Sequence, residues 1–188
     1  MLLRGLAFGA HTVTGTATTQ PVGFLPNATV GVNPTGTAAG FGSQGTTGLG
    51  TDILVNLVAS LPEPYASAPD AGFIMKGSTL AAVRNIKVAT SGDLVGSTLV
   101  GDGSGAATPS LFGYPLYTDP TMPTFGNTNR VVAFGDWSRY FVRIVNGIRW
   151  ERSDDYAFGD GLVTFRLVFR ADGALIDNTA IRVFVSTT

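Results

Sequence analysis

Between Thr51 and Pro62 the apolar residues Leu54, Leu57, Val58 and Leu61 fall at i, i+3, i+4 and i+7, the spacing that gathers side chains on one face of a helix. Thr51 or Asp52 stands where an N-cap is needed, and Pro62 stops the run. That face is expected to be core. "AGFIMKG" (71–77) reads as a buried strand, and Ser78 is placed to cap a second helix over "TLAAVRNIKV", where Leu80, Val83 and Ile86 recur every three residues. A strand followed by a helix suggests a mixed α+β layer. Further on, "FGYPLYTDPTMP" supplies an aromatic-flanked strand and a proline-rich turn, "RVVAFGDW" a short apolar strand ending at Gly135-Asp136, and "IRVFVS" a closing strand.

The clearest local signal is "YFVRIVNGIRWERS", two β-prone runs joined by Asn146-Gly147. Asn-Gly supplies the positive φ angles of a type I′ turn, so the pattern predicts a hairpin folding back at that dipeptide. In "LVTFRLVFR" (162–170), Val163, Phe165, Leu167 and Phe169 point one way, and Thr164, Arg166, Val168 and Arg170 the other. One side is expected to be core and the other to carry the two arginines. Residues 1–50, rich in Gly, Thr, Ala and Pro, show no period and read as extended chain and long loops. Residues 89–110 are small and polar, with "VGDGSGAATPS" at the tip, and are expected to form a mobile excursion with no core of its own. There is no internal repeat and no heptad pattern.

Composition changes this picture toward association. A chain of 188 residues suits one domain, or one with a smaller lobe. It is long enough to bury about 70% of its unfolded surface. Only 13% of its residues are charged while 44% are hydrophobic, and mean hydropathy is +0.25, against about 25% charged in an ordinary soluble domain. Membrane insertion does not account for this. The longest apolar runs, "DILVNLVASL" and "LVTFRLVF", are interrupted and fall well short of the roughly 20 residues a spanning helix needs. Burial between subunits does account for it.

A net charge of −1, with Lys76 and Lys87 as the two lysines, argues against a dedicated nucleic-acid reader. The absence of cysteine excludes disulfides, thiolate metal sites and cysteine nucleophiles, and fits a reducing compartment. Gly5 and Gly9 break the apolar part of "MLLRGLAFGAHTVTG", which argues against a secretion signal. The sequon Asn27-Ala28-Thr29 then reads as a loop.

Candidate chemistry is sparse. His11 is the single histidine, with no second histidine or cysteine to complete a zinc site or a nucleophile pair. Gly40, Gly42, Gly45, Gly48 and Gly50 resemble a phosphate loop in composition alone, since the order at Lys76 is Lys-Gly-Ser and no Gly-Lys-Ser/Thr follows. "GDGSG" lacks the spaced acidic ligands of a calcium loop. The segment "RSDDYAFGDGLVTFRLVFRADGAL" (152–175) concentrates charge in a chain that uses little. Asp154 and Asp155, with Asp136, Asp160 and Asp172 approaching in the fold, would in principle suit acid/base work or magnesium. Arg139, Arg152, Arg166 and Arg170 lie close by, and arginine favours the ionised carboxylate, the opposite of what a general acid needs. Paired arginine and carboxylate suit a subunit joint. Solvated charges worth little are a third reading, and the residues alone leave all three open. A small soluble enzyme or binding module using these aspartates is the alternative at the level of class.

Five stretches carry a resemblance: "QPVGFLPNA" (20–28), "TLAAVRNIK" (79–87), "LFGYPLYTDPTMP" (111–123), "VVAFGDWSRYFVR" (131–143) and "IRWERSDDYAFGDGLVTFRLVFRADGALID" (148–177). In this order they resemble the C-terminal part of the HK97-like major capsid proteins of tailed bacteriophages, over nearly the whole chain. The resemblance implies an α+β fold of the HK97-like capsid type, with an antiparallel P-domain (peripheral) sheet and a mixed α/β A domain (axial). Residues 1–25 would be an extended incoming portion of the P domain, 26–135 the A domain, and 136–188 the return into the P domain. It implies a structural, non-enzymatic coat subunit without cofactor or metal. Such a subunit assembles into pentamers and hexamers of an icosahedral head around double-stranded DNA, with no sequence-specific binding and no membrane. Scaffold, portal and cement proteins are further expected partners, and the expected location is the virion after assembly in the host cytoplasm. An encapsulin-like nanocompartment, with the same fold around a cargo protein, is the alternative.

By the same resemblance Gly101, Asp102, Gly103, Ser104 and Gly105 would form the loop near the capsomer axis. Arg152, Asp154, Asp155, Arg166, Arg170 and Asp172 would be register or inter-subunit contacts. The family's N-terminal arm, extended loop and spine helix have no counterpart before "LLRGLAFG", so the chain is expected to be a fragment or processed product, with an abbreviated relative as the alternative. Gly161 stands at the family's cross-linking asparagine and Val168 at its assisting glutamate, so no isopeptide cross-link is expected.

Overall fold

The computed structural model of the chain describes residues 22–32, 41, 50–87, 100–101, 109–126 and 128–186. Its helices are α1 (Phe24–Asn27), α2 (Thr51–Ala59), α3 (Glu63–Ala66) and α4 (Gly77–Arg84). Its strands are β1 (Thr29–Val32), β2 (Ala71–Met75), β3 (Val100–Gly101), β4 (Ser110–Leu111), β5 (Tyr114–Thr118), β6 (Arg130–Asp136), β7 (Tyr140–Ala157), β8 (Leu162–Leu175) and β9 (Ile181–Val185). Seven strands make one sheet in the order β1-β9-β6-β2-β5-β4-β3, and β7 and β8 form a separate two-stranded ribbon.

Both faces of the large sheet are covered, which is why β6 and β9 read as near-continuous apolar runs. Alternation still sorts their side chains. Phe73 and Met75 of β2, Val132 and Phe134 of β6 and Phe184 of β9 face a core completed by Ile53, Leu54 and Leu57 of α2 and by Leu80 and Val83 of α4. Ala133, Ile181, Val183 and Val185 face a second core with Phe24, Leu25 and Leu175. Gly135 is required where β6 meets the start of β9, since a Cβ there would lie 2.3 Å from the Ala180 carbonyl oxygen.

The expected helices form with shifted starts. Gly50, not Thr51 or Asp52, is the N-cap of α2, and Thr51 is already helical and buried. The buried face is Ile53, Leu54 and Leu57, extended by Leu61, while Val58 is half-buried. Lys76, not Ser78, is the N-cap of α4. Ile86 is buried beyond its last turn. The expectation of loop throughout residues 1–50 fails at 24–32. Phe24 and Leu25 drop into the second core through α1, and β1 adds to β9 in parallel. The sequon therefore joins a helix end to a strand. Arg130 of β6 ties α1 down, its Nη1 donating to the Leu25 and Ala28 carbonyls.

The hairpin does not turn at Asn146-Gly147. β7 runs through that dipeptide for 18 residues, and the reversal comes at Phe158–Asp160 followed by Gly161 (φ +66°). Val145 pairs with Arg170 and Ile148 with Phe169, so residues 146 and 147 are taken up as a bulge, with Gly147 at φ +63°. The 14-residue β8 offers pairing partners on both sides of the dipeptide, and that longer ladder overrides the local turn preference. Because the bulge holds an even number of residues, the side-chain alternation continues unchanged beyond it.

β9 returns from the ribbon to the large sheet, where it lies between the edge strand β1 and β6. Of residues 89–110, Val100–Gly101 pairs with Ser110–Leu111, while Asp102, Gly103, Ser104 and Gly105 lie outside the described residues, as does His11. Among the described residues no helix is long and apolar enough to cross a membrane.

Candidate functional site

Directly opposed residues of an antiparallel pair share a face, so the ladder sorts the ribbon into two surfaces. One carries the opposed pairs Trp150/Leu167, Arg152/Phe165 and Tyr140/Leu175, together with Val142, Ile144 and Ile148. The other carries Arg143/Asp172, Val145/Arg170, Arg149/Val168, Glu151/Arg166 and Ser153/Thr164. The facing directions expected for Phe165 and Leu167 on one side, and for Thr164, Arg166, Val168 and Arg170 on the other, therefore hold. The expectation that the apolar side is core does not: Trp150 is 66% exposed, Ile148 64%, Leu167 59% and Phe165 58%. Within the chain the Trp150 ring meets Phe165 edge-on at 5.3 Å. Nothing in the described chain closes over this surface, because the two-stranded ribbon leaves the body and has no second layer.

On the charged surface Glu151 is the hub. Arg149 Nη2 lies 2.6 Å from its Oε1, and Arg166 Nε donates to its Oε2 at 2.7 Å. Arg152 pairs with Asp154 at 2.8 Å on an exposed stretch, a contact of small worth. Arg170, Asp172 and Asp155 make no ion pair among the described residues; Asp172 accepts the Gly173 N–H instead. Sequence reasoning named Arg152, Asp154 and Arg166 but missed Arg149 and Glu151. Their i, i+2 spacing in "RWE" already marks one strand face, while the partnership with Arg166 depends on register.

The five aspartates considered for catalysis do not converge. Asp136 is 2% exposed at the ribbon's root, where it accepts the Ser138 N–H at 3.0 Å and pairs with Arg139 at 3.3 Å. Asp154, Asp155 and Asp160 sit at the tip, about 26 Å along the ribbon from Asp172 at strand rise. Among the described residues no group of three or more histidine, aspartate or glutamate side chains comes together as a metal site.

The root itself is firmly fastened. The Tyr140 hydroxyl donates to the Val22 carbonyl at 2.7 Å, and burial, with the Asp172 charge, pushes its pKa up to about 12. Trp137 donates to the Gly72 carbonyl at 3.0 Å and meets Phe24 edge-on. Where β8 turns toward β9, Asp177 accepts the Thr179 hydroxyl at 2.6 Å, the Thr179 N–H at 2.8 Å and the Tyr65 hydroxyl. The Thr179 hydroxyl and then the Tyr65 hydroxyl are the main causes holding the Asp177 carboxyl down at about 2. The same Tyr65 ring lies beneath the Arg139 guanidinium. Hydrogen bonds and ring contacts thus hold the root, while the apolar side chains of the arm beyond it stand exposed.

The family model described as the phage capsid family matches residues 5–186. The chain belongs to the phage capsid family. The capsid of a native GTA particle is similar to this capsid-family chain at 27% identity and a TM-score of 0.72, over 93% of this chain and 59% of that one. A chain of Gordonia phage Cozz is similar at 12% identity, TM-score 0.62, over 99% and 59%. One of Mycobacterium phage Ogopogo is similar at 15% identity, TM-score 0.59, over 98% and 63%. The two phage likenesses speak for the fold alone. No curated protein matches the chain at a significant level. The capsid-family chain spans about three fifths of the GTA capsid chains it matches.

Proposed function

We propose that this chain is a structural coat subunit, the major capsid protein of a phage-type particle, and that its work is self-assembly. One observation carries the reading: a two-stranded ribbon of 18 and 14 residues presents a row of large apolar side chains to solvent. An isolated hairpin is marginal in water, and apolar patches of this kind mark interaction surfaces. Membership of the capsid family supplies the partner class, further copies of the same subunit. These copies form pentamers and hexamers of an icosahedral shell around double-stranded DNA, held by many modest contacts repeated by symmetry. The shell is part of the virion and is assembled in the host cytoplasm, with scaffold, portal and cement proteins as further partners, and it does no catalysis. Matches to phage and GTA capsids favour this over an encapsulin-like compartment.

In the proposed division residues 26–135 are the A domain, and 1–25 with 136–188 the P domain. β9 (Ile181–Val185), within the proposed P-domain return, pairs with β1 and β6 of the proposed A domain. Gly101, Asp102, Gly103, Ser104 and Gly105 form the proposed axis loop. Arg152, Asp154, Asp155, Arg166, Arg170 and Asp172 remain the proposed register and inter-subunit contacts, joined by Arg149 and Glu151. Negative-stain electron microscopy of the natively purified protein, with the 260/280 absorbance ratio, tests the reading. Round shells containing DNA are expected. Shells filled with a cargo protein would point to the encapsulin-like alternative, and failure of the protein, extended upstream if necessary, to form capsomers would sink the function. No isopeptide ladder is expected, so bands at multiples of the chain mass surviving boiling in SDS would contradict that part.

A further inference from the structure

The charges of the ribbon are segregated along its length. The stem carries Arg143, Arg149, Arg166 and Arg170 against Glu151 and Asp172, which leaves it net positive. The tip carries Asp154, Asp155 and Asp160 against Arg152, which leaves it net negative. Asp155 and Asp160 are exposed and without ion pairs among the described residues. At the β7 bulge the charged surface opens into a small cleft of about 100 Å³, lined by Val145, Gly147, Arg149, Val168 and Arg170. Gly147 has no side chain to fill it, and a Cβ built there would meet nothing within 4 Å. Arg149 commits one nitrogen to Glu151 and keeps the other donors of its guanidinium, while Arg170 has no ion partner among the described residues. Two arginines thus line one small cleft, and guanidinium donors suit a carboxylate.

We propose that this cleft receives the tip carboxylates, Asp155 and Asp160, of the ribbon of a second copy, so that neighbouring subunits engage tip to stem. The chain's own tip cannot reach, since the six residue steps along β8 from Arg170 to Thr164 put it about 20 Å away. The contact is heterologous, one surface on each partner, and such contacts propagate around rings of subunits. It rests on the coat-subunit reading and names the joint within it. Charge complementarity here selects partner and register more than it adds affinity, which leaves the apolar surface as the main source of binding energy. Phosphate would suit the same guanidinium groups, but a chain of net charge −1 with acidic and basic residues balanced on one arm fits a partner like itself.

The chain has no cysteine, so engineered thiols report cleanly. Val145→Cys places one at the cleft and Tyr156→Cys one at the tip, leaving every charged residue in place. A disulfide needs Cα atoms within about 7 Å, so neither site can bridge to the other in one chain. The full-length chains are mixed, allowed to assemble and oxidised mildly. In an equal mixture, mixed Val145→Cys/Tyr156→Cys dimers are expected to exceed the share that random pairing gives, which is twice either like pair, and to fall toward it as salt screens the charges. In a second arm, Arg170→Glu is expected to lower particle yield about tenfold, the scale of one close charge pair, and Asp155→Arg with Asp160→Arg in the same chain is expected to restore it.

Mixed dimers at or below the random-pairing share, or no restoration, would overturn the proposal. So would Arg170→Glu particles that form normally but retain less DNA, which would assign the cleft to phosphate. Shells without mixed dimers would sink the joint alone, and mixed dimers without shells would sink the shell reading alone.

Discussion

Replacing Trp150 by serine removes the largest side chain from the apolar surface of the ribbon and touches little else. At 66% exposure, roughly 150 Å² of the indole is left for a partner, worth about 4 kcal/mol at about 25 cal/mol per Å². Association has its own ordering costs, so the expected loss is about 2–4 kcal/mol per contact, or roughly 30- to 900-fold in subunit affinity. The subunit itself should barely notice. Its ring contact with Phe165 is an edge pair worth about 0.5–1.5 kcal/mol. Truncating a core ring such as Phe134, at 0% exposure, should cost about 3–5 kcal/mol. Sedimentation velocity across a concentration series reads the first quantity, and thermal unfolding of the unassembled chain reads the second. A melt that falls on the core scale while assembly is unchanged would refute the reasoning, since the chain itself would then be closing over Trp150.

Gly135→Ala should destabilise the fold by about 1–3 kcal/mol, because its Cβ would press on the Ala180 carbonyl 2.3 Å away and drive β6 from β9. A denaturant midpoint equal to that of the parent would show that the two strands yield freely. Asp177 titrates at about 2 in the folded chain against an ordinary value of 3.8. Its contribution is therefore complete above about pH 4 and lost as pH falls toward 2. Unfolding midpoints measured from pH 5 to 2 should fall less steeply for Asp177→Asn than for the parent, and equal slopes would remove Asp177 from the account of acid sensitivity.

Local pattern carried far in this chain where both the signal and its cause are local. The helical spacing of Leu54 and Leu57 and the capless apolar runs of β2, β6 and β9 announced their elements. So did the alternation of Thr164, Phe165, Arg166 and Leu167. Helix starts slipped by a residue or two because Gly50 and Lys76 serve as caps without the side chains that usually mark them. Asn146-Gly147 misled for a physical reason: turn preference is a property of two residues, while pairing belongs to the whole ladder, and thirteen opposed pairs along β7 and β8 outweigh one favourable dipeptide. The charge concentrated in 152–175 is legible in the sequence, but Glu151 as a hub is not, since its two arginines come from different strands and meet it through register.

By itself the sequence determined the class of the fold, the identity of most strands and helices, and which residues of β8 share a face. Those follow from the pleat and the helical repeat, which each residue shares with its near neighbours. Only the tertiary structure decided that Tyr65 and Asp177, 112 residues apart, fasten the ribbon's root. It alone set β9 between β1 and β6, and left Trp150, Phe165 and Leu167 in solvent although their pattern is that of a core. Apolar alternation specifies that a face must be covered; what covers it depends on the path of the rest of the chain and, on our reading, on the next subunit.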